Sequence, residues 1–237
     1  MGREIELKIP LTDAEYEKIF CVICGKAQLS GVEVCSENGR AFAFEHILKS
    51  DSYFSRYNSR AESKAAGEPQ VIRIRSEQLF DDNDEKSGLA DSKSYFCIKR
   101  KTIENGIELN REDETFVEKP EVIRDLLIFS GYHQFFEKKK EAFSVFCKSE
   151  VLENCVFHLE LEKVNGLKYI EVEVTDDFDF AESGILDNSF SESCSAKKCL
   201  SACDIRLALE KFVALFGLDS SKKDSRSWME ILKGGAL

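Results

Sequence analysis

The chain has 237 residues, of which 43% are hydrophobic and 32% charged; this excludes global disorder and fits a soluble globular protein with a sizeable core. Lys and Arg number 33 against 44 Asp and Glu, and a net charge of −11 argues against a general binder of nucleic acid or anionic membrane, which needs a basic footprint. No apolar run approaches the roughly 18 residues of a transmembrane helix.

The opening residues, Met1-Gly2-Arg3-Glu4-Ile5-Glu6, carry two acids and no apolar segment, so they do not read as a signal peptide. The nine Cys are odd in number and irregularly spaced, which predicts a cytoplasmic protein with reduced thiols.

The first predicted element is a strand ending at Pro10. Glu4, Glu6 and Lys8 fall on one face, Ile5, Leu7 and Ile9 on the other. Thr12-Asp13-Ala14-Glu15 is a capping box that predicts a helix of about 15 residues through Leu29. Residues 31–50 read as one or two strands around Glu37-Asn38-Gly39, and residues 55–69 as a loop. Val71-Ile72-Arg73-Ile74-Arg75 is a strand with both arginines on one face. Residues 80–93 form an acidic loop. Tyr95 to Lys101 is the next strand, turning through Asn105-Gly106 into 107–118. Pro120 starts a helix ending near Gly131. Strands follow at about 135–148, 155–163 and 168–175, the last two joined at Asn165-Gly166. Residues 176–203, rich in Ser and Asp, read as a flexible insertion. Helices from Asp204 to Phe216 and from Ser227 to Leu232 end the chain.

The strands share a pattern. One face is apolar, and the other carries charges at a two-residue period. Acids recur as Glu4/Glu6, Glu112/Glu114, Glu160/Glu162 and Glu171/Glu173; bases recur as Lys8, Arg73/Arg75, Lys99/Lys101 and Lys138/Lys140. One reading is a half-buried sheet with a solvated charged face. The other is a closed antiparallel barrel of about eight strands with its charges lining the bore. Unmatched charges there would cost several kcal/mol each. Divalent metal on the acids and a polyanion on the bases would relieve that cost. A triphosphate chelating Mg²⁺ or Mn²⁺ satisfies both, and the same charges supply the electrostatics of phosphoryl transfer. In the bore reading each arginine sits near other cations, and the ligand-free chain carries strain.

Glu4-Ile5-Glu6-Leu7-Lys8 resembles the Glu-x-Glu-x-Lys signature of the CYTH superfamily, the triphosphate tunnel metalloenzymes. Further elements follow in that family's order. Asp51-Ser52-Tyr53-Phe54 is similar to its Asp-x-Tyr-aromatic element, Arg73-Ile74-Arg75 to its Arg-x-Arg strand, and Phe96-Cys97-Ile98-Lys99 to its aromatic-x-x-Lys strand. Arg111-Glu112-Asp113-Glu114 resembles the Arg/Glu-rich strand with its spacing off by one. Lys138-Lys139-Lys140 stands where Lys-x-Arg is usual. Glu162-Lys163-Val164-Asn165-Gly166-Leu167 and Glu171-Val172-Glu173 resemble the closing elements, with Glu162 in place of Asp. The tail Ser227-Trp228-Met229-Glu230-Ile231-Leu232 is similar to the Ser-Tyr-x-x-Leu-Leu ending of the class IV adenylyl cyclase branch. Nothing in that ending touches the chemistry.

The resemblance implies an α+β fold: a closed antiparallel barrel with a charged interior and flanking helices, one CYTH-like domain over residues 1–237. It implies metal ligands among Glu4, Glu6, Glu112, Glu114, Glu162, Glu171 and Glu173, and phosphate ligands among Lys8, Arg73, Arg75, Lys99, Lys101, Lys138 and Lys140. Catalysis would centre on Glu4, Glu6 and Lys8 with Mg²⁺ or Mn²⁺. The implied activity is cyclisation of ATP to cyclic AMP and pyrophosphate. Hydrolysis of inorganic or thiamine triphosphate and a non-catalytic polyphosphate- or nucleotide-binding module stay open as alternatives. The implied partner is a small-molecule triphosphate, with no nucleic acid and no membrane; a homodimer is left open.

Other features point elsewhere only weakly. Cys21-Val22-Ile23-Cys24 falls inside a predicted helix and reads as incidental thiols. Cys194, Cys199 and Cys203 lack a fourth ligand for zinc. His158 shares the parity of Glu160 and Glu162, with a structural role the simpler reading. There is no phosphate-binding Gly-rich loop.

Overall fold

A computed structural model of the protein describes residues 2–35, 44–68, 70–80, 92–104, 107–152, 155–175 and 202–233. In chain order the elements are β1 (Gly2–Pro10), α1 (Asp13–Ile23), β2 (Glu33–Val34), β3 (Glu45–Ser55), α2 (Arg60–Ala65), β4 (Val71–Leu79), β5 (Ser92–Glu104) and β6 (Ile107–Phe116). They continue as α3 (Pro120–Phe129), β7 (His133–Lys148), β8 (Val156–Val164), β9 (Leu167–Thr175), α4 (Ala202–Leu215), a 3-10 turn (Ser220–Lys222) and α5 (Trp228–Leu232).

The strands pair in the order β7-β3-β4-β5-β6-β1-β9-β8, and β8 returns to β7. Every pairing is antiparallel, so the sheet is a closed eight-stranded barrel. β2 adds a short ninth strand at the end of β7. The result is the expected α+β barrel.

Closure decides what the alternating strands do with their two faces. The apolar faces point outward and are covered by helices. Leu7, Ile9, Leu159, Leu161, Ile170 and Val172 from the strands meet Ile19 and Ile23 of α1 and Leu209 and Phe212 of α4. Phe157 stacks on Phe212 with ring centroids 4.1 Å apart. Each such side chain, fully removed from water, contributes about 1.5–3 kcal/mol before entropy. Across the barrel, Phe54, Ile72 and Ile74 pack under Leu127 of α3.

Local signals fix several ends. Thr12 and Glu15 form the capping box of α1. That helix stops at Ile23 and not at Leu29, because Gly25 adopts φ 68°; a left-handed residue there ends the helix. Asn165 and Gly166 both have positive φ, 50° and 82°, as a tight hairpin between β8 and β9 requires. Two further readings differ from expectation. Asp51–Phe54 lies within β3, which runs to Ser55, and the stretch taken as loop contains α2, capped by Ser59. The turn at 37–39, the turn at 105–106, the acidic stretch 81–91 and residues 176–201 of the expected insertion lie outside the described residues. Among the described residues, no helix is long and apolar enough to cross a membrane.

Candidate active site

The charged faces point into the bore. β1 supplies Glu6 and Lys8; β3, Lys49, Asp51 and Tyr53; β4, Arg73 and Arg75; β5, Lys99 and Lys101. β6 supplies Glu108, Glu112 and Glu114; β7, Lys138 and Lys140; β8, His158, Glu160 and Glu162; β9, Glu171 and Glu173. Most of these side chains border a cavity of about 570 Å³. Lys8, Lys49, Asp51, Arg73, Glu108, Lys138, Lys140, Glu160 and Glu162 are buried. Glu4 keeps the parity of Glu6 on β1, opposite Asn110 of β6, and its side chain lies outside the described residues.

Buried charge is tolerated because acids and bases are interleaved. Asp51 accepts from Arg75 through Nε at 2.6 Å and a terminal nitrogen at 3.0 Å, lies 3.1 Å from Lys138 Nζ, and accepts from the Tyr53 hydroxyl at 3.2 Å. Burial opposes its charge, yet Arg75, Lys138 and Arg73 hold its carboxyl well below the usual range. Burial pulls Lys138 down to about 8, despite Asp51. A second group joins Arg73, which reaches Glu114 at 3.1 Å and Glu112 at 3.4 Å, with Lys99, which pairs with Glu112 and Glu6. Against burial, Lys99 and Arg73 keep Glu112 at about 2. The buried Cys97 thiol donates to Glu112 at 3.3 Å, and burial raises it to about 12.

A third group surrounds Lys140. Its ammonium contacts Glu160, Glu162 and Glu171, and Lys49 also pairs with Glu160. Burial and the neighbouring Glu171 push Glu162 up to about 8, although Lys140 pulls the other way. Glu171 is driven low instead, its burial outweighed by Lys140, Lys8 and Lys138. In a fourth group Glu108 faces Lys8, Lys101 and Glu6; burial and the Glu6 carboxylate raise it to about 8. Finally, His158 Nδ1 lies 2.6 Å from Glu173, and its Nε2 lies 2.7 Å from Ser144 Oγ.

These groups correct parts of the sequence reading. The arginines do not sit among unmatched cations: Asp51, Glu112 and Glu114 balance them, although Arg73 and Arg75 repel each other. The acids do not converge on one point. Glu112 and Glu114 fall in one cluster, Glu162 and Glu171 in another, and Glu173 is engaged by His158. Sequence reasoning left Lys49, Asp51, Glu108 and Glu160 out of the site. Parity could have placed them, since Glu108 is in phase with Glu112, and Lys49 with Asp51. His158 borders the cavity, so it is not only a packing residue. Of the thiols set aside, Cys21 is in the last turn of α1, Cys24 at its C-cap, and Cys203 exposed on α4; Cys194 and Cys199 lie outside the described residues.

The tail also belongs to the site. Ser227 and Glu230 form a capping box that starts α5. Trp228 donates from Nε1 to Glu171 at 3.1 Å, and its ring centroid is 5.4 Å from Lys8 Nζ and 5.6 Å from Lys138 Nζ. Lys8 donates to the carbonyl of Arg226 at 2.7 Å, and Lys101 to that of Ser225 at 3.2 Å. Ser227, Trp228, Met229 and Glu230 border the cavity, contrary to the expectation that the ending is remote from the chemistry.

Among the described residues, two groups of side chains offer ligand atoms within 4.8 Å of one another: Glu160, Glu162 and Glu171, and Cys97, Glu112 and Glu114. The first fits a hard divalent cation. It is all oxygen, Lys140 is the ammonium that reaches all three, and Glu162 Oε2 is buried without a hydrogen-bond partner. The second is less suited, because its thiol is held protonated.

The fold recurs in solved structures. The PH1819 protein of Pyrococcus horikoshii superposes with a TM-score of 0.58 at 16% identity, covering 98% of each chain. A candidate adenylate cyclase of Vibrio parahaemolyticus gives 0.54 at 16%, covering 97% of each. A candidate adenylyl cyclase of Hippeastrum, described as having a dominant triphosphatase activity, gives 0.52 at 12%, covering 100% of this chain and 97% of that one. The chain shares the closed barrel fold of these structures. No family model matches the chain, and no curated protein does. At these identities the likeness concerns the fold alone.

Proposed function

We propose that this barrel is a divalent-metal-dependent enzyme acting on a triphosphate, and that it cyclises ATP to cyclic AMP with release of pyrophosphate. One observation carries the first part. Six cations from four strands (Lys49, Arg73, Arg75, Lys99, Lys138 and Lys140) border one cavity together with Glu160 and Glu171, two members of an all-oxygen carboxylate cluster that Glu162 completes. A chain of three phosphates chelating a metal needs both kinds of group within reach.

Roles follow from position. Arg73 and Arg75 present planar forks suited to phosphate oxygens. Lys49, Lys99, Lys138 and Lys140 act as point charges around them. Lys8 and Lys101, tied to the tail carbonyls, hold the end of the bore nearest α5. Glu160, Glu162 and Glu171 would hold the metal, with Glu6, Glu112, Glu114 and Glu173 as the further acids of the bore and Glu4 in phase with Glu6 on β1. When bound, a divalent cation neutralises charge developing on the phosphate oxygens. Several of these charges are buried, and a charge removed from water acts more strongly than in solvent.

In cyclisation the ribose 3′ hydroxyl gives up its proton, its oxygen bonds the α-phosphorus, the bond from that phosphorus to the oxygen bridging to the β-phosphate breaks, and pyrophosphate leaves with that oxygen. The cyclase assignment is supported by the tail resemblance, whose residues border the cavity, and by the candidate cyclase of Vibrio parahaemolyticus. The second reading, hydrolysis of the terminal phosphate, is supported by the triphosphatase activity described for the Hippeastrum protein.

Product analysis separates the readings. ATP, inorganic triphosphate and thiamine triphosphate are each incubated with Mg²⁺ or Mn²⁺. Cyclic AMP and pyrophosphate from ATP support the proposal. Orthophosphate from any of them supports the hydrolase. Binding without product points to a carrier module, and no binding at all refutes the triphosphate site.

A further inference from the structure

The helix α3 carries more apolar surface than the barrel covers. Six of its ten residues are Val, Ile, Leu or Phe. A helix lying on a barrel needs one apolar stripe. Ile123 and Leu127 supply it, packed with Phe54, Ile72 and Ile74. Val122, Leu126 and Phe129 form a second stripe at i, i+4 and i+7. Val122, Leu126 and the adjoining Ile128 are each more than half exposed, and Phe129 is 90% exposed. Of the nine large hydrophobic side chains exposed among the described residues, four therefore sit on this one helix. Such residues scattered singly need no explanation, but a group on one face marks a contact surface.

The area fits a second copy of the chain. An aromatic side chain offers about 200 Å² and an aliphatic one somewhat less, so the exposed parts of these four present roughly 450 Å². A standard interface takes about 800 Å² from each partner, and about 65% of a homodimer interface is apolar, roughly 500 Å². The face supplies that apolar part, and the exposed Glu121, Arg124 and Asp125 beside it supply a polar rim. A stripe on a single helix also meets its own copy about a two-fold axis. With the two helices antiparallel, Val122 faces Phe129 of the second copy and Leu126 lies near the axis. Other stretches of the same chain are poorer covers. Residues 81–91 hold Leu89 as their one large apolar side chain, and residues 176–201 join β9 to α4, four strands round the barrel from β4.

We propose that the exposed face of α3 is a two-fold contact between two copies of this chain, with Leu126 and Phe129 at its centre. The contact lies on the outside of the barrel wall and does not depend on what the bore binds. Each copy carries a net charge of −11, so charge opposes the pairing and apolar burial drives it. Salt screens the repulsion and leaves the apolar term in place, so association strengthens as ionic strength rises.

Sedimentation of the full chain over about 1–100 µM reads the pairing. Wild type should dimerise within that range. Phe129→Ser and Leu126→Asp should each weaken the dimer at least about tenfold, as the loss of a central apolar anchor does. Both positions are exposed in the single chain, so circular dichroism and the melting temperature of dilute, monomeric protein should not change. Leu126→Lys should be monomeric like Leu126→Asp, and an equimolar mixture of the two should pair again, because near a two-fold axis position 126 faces its own copy. Raising salt from about 0.05 to about 0.5 M should tighten the wild-type dimer. A wild type that stays monomeric to the top of the concentration range refutes the contact. A dimer that the variants leave intact also refutes it, since pairing then lies elsewhere, and so does a dimer that salt dissociates, since charges then hold it. A lower melting temperature in dilute Phe129→Ser protein would show that the chain covers this face itself, which overturns the proposal as well.

Discussion

Asp51 offers a sharp test of whether the bore is built around a missing polyanion. Its side chain is 0% exposed and takes charge-assisted contacts from Arg75 and Lys138. Within the free protein it does for these cations what a phosphate would do in the complex. Asp51→Asn keeps the shape and removes the charge. Arg75 and Lys138 then stay buried, with Arg73 close by and their nearest counter-charge gone. Removing one partner of a buried pair costs about 3–5 kcal/mol, and the retained amide favours the lower end, so a loss of about 3 kcal/mol is expected at neutral pH. The dependence on pH has a definite sign. The folded-state pKa of Asp51 is depressed, so its contribution is complete above the unfolded value of about 3.9 and is lost as pH falls through the folded value. The gap between wild type and variant should therefore be constant near neutrality and close in acid. Inorganic triphosphate with Ca²⁺ should raise the melting temperature of the variant more than that of wild type, because the ligand no longer displaces an internal carboxylate. Urea titrations give the stability difference, and thermal scans give the ligand shift. A loss below about 1 kcal/mol, or a ligand shift no larger than in wild type, would refute the view that Asp51 stands in for a phosphate.

Other perturbations read the remaining parts of the bore. Glu6→Gln should abolish turnover while circular dichroism and thermal scans show a folded protein; full activity in this variant, or unchanged activity in EDTA, would remove Glu6 and metal from the mechanism. Glu162 has a raised folded-state pKa of about 8, so its proton is retained by the folded chain where the unfolded chain has lost it, and wild-type stability should fall as pH rises from about 4.5 to about 8. That slope should flatten in Glu162→Gln. Because a metal must displace the same proton, calorimetric Mn²⁺ affinity should rise with pH up to about 8, and a flat profile would place the metal elsewhere. Replacing residues 178–200 with a short Gly/Ser linker should leave product formation near wild type; a large loss would show that this segment is needed for turnover.

The sequence by itself determined the two faces of each strand. A two-residue period cannot be satisfied in any other way, and it assigned Leu7, Ile72 and Val172 to one environment and Lys8, Arg73 and Glu171 to the other. Local chemistry also set the capping boxes at Thr12 and Ser227 and the hairpin at Asn165-Gly166, because those depend only on neighbouring residues. What periodicity could not decide was which face is inside. A solvated sheet and a charged bore have the same alternation, and only the pairings β7–β8 and β1–β6, between strands far apart or at opposite ends of the sheet order, close the cylinder. Resemblance to a known family, not the pattern, pointed to the barrel.

Closure then made the contacts that no linear reading contains. Asp51 meets Lys138 across 87 positions because β3 lies between β4 and β7. Glu173 meets His158 on the adjacent strand, and Trp228 reaches Glu171 only because the tail folds back toward β1 and β9. Burial in a shared cavity makes each charge depend on its neighbours. The identity of the bore residues is therefore largely legible in the sequence, while their partners and their protonation belong to the tertiary structure.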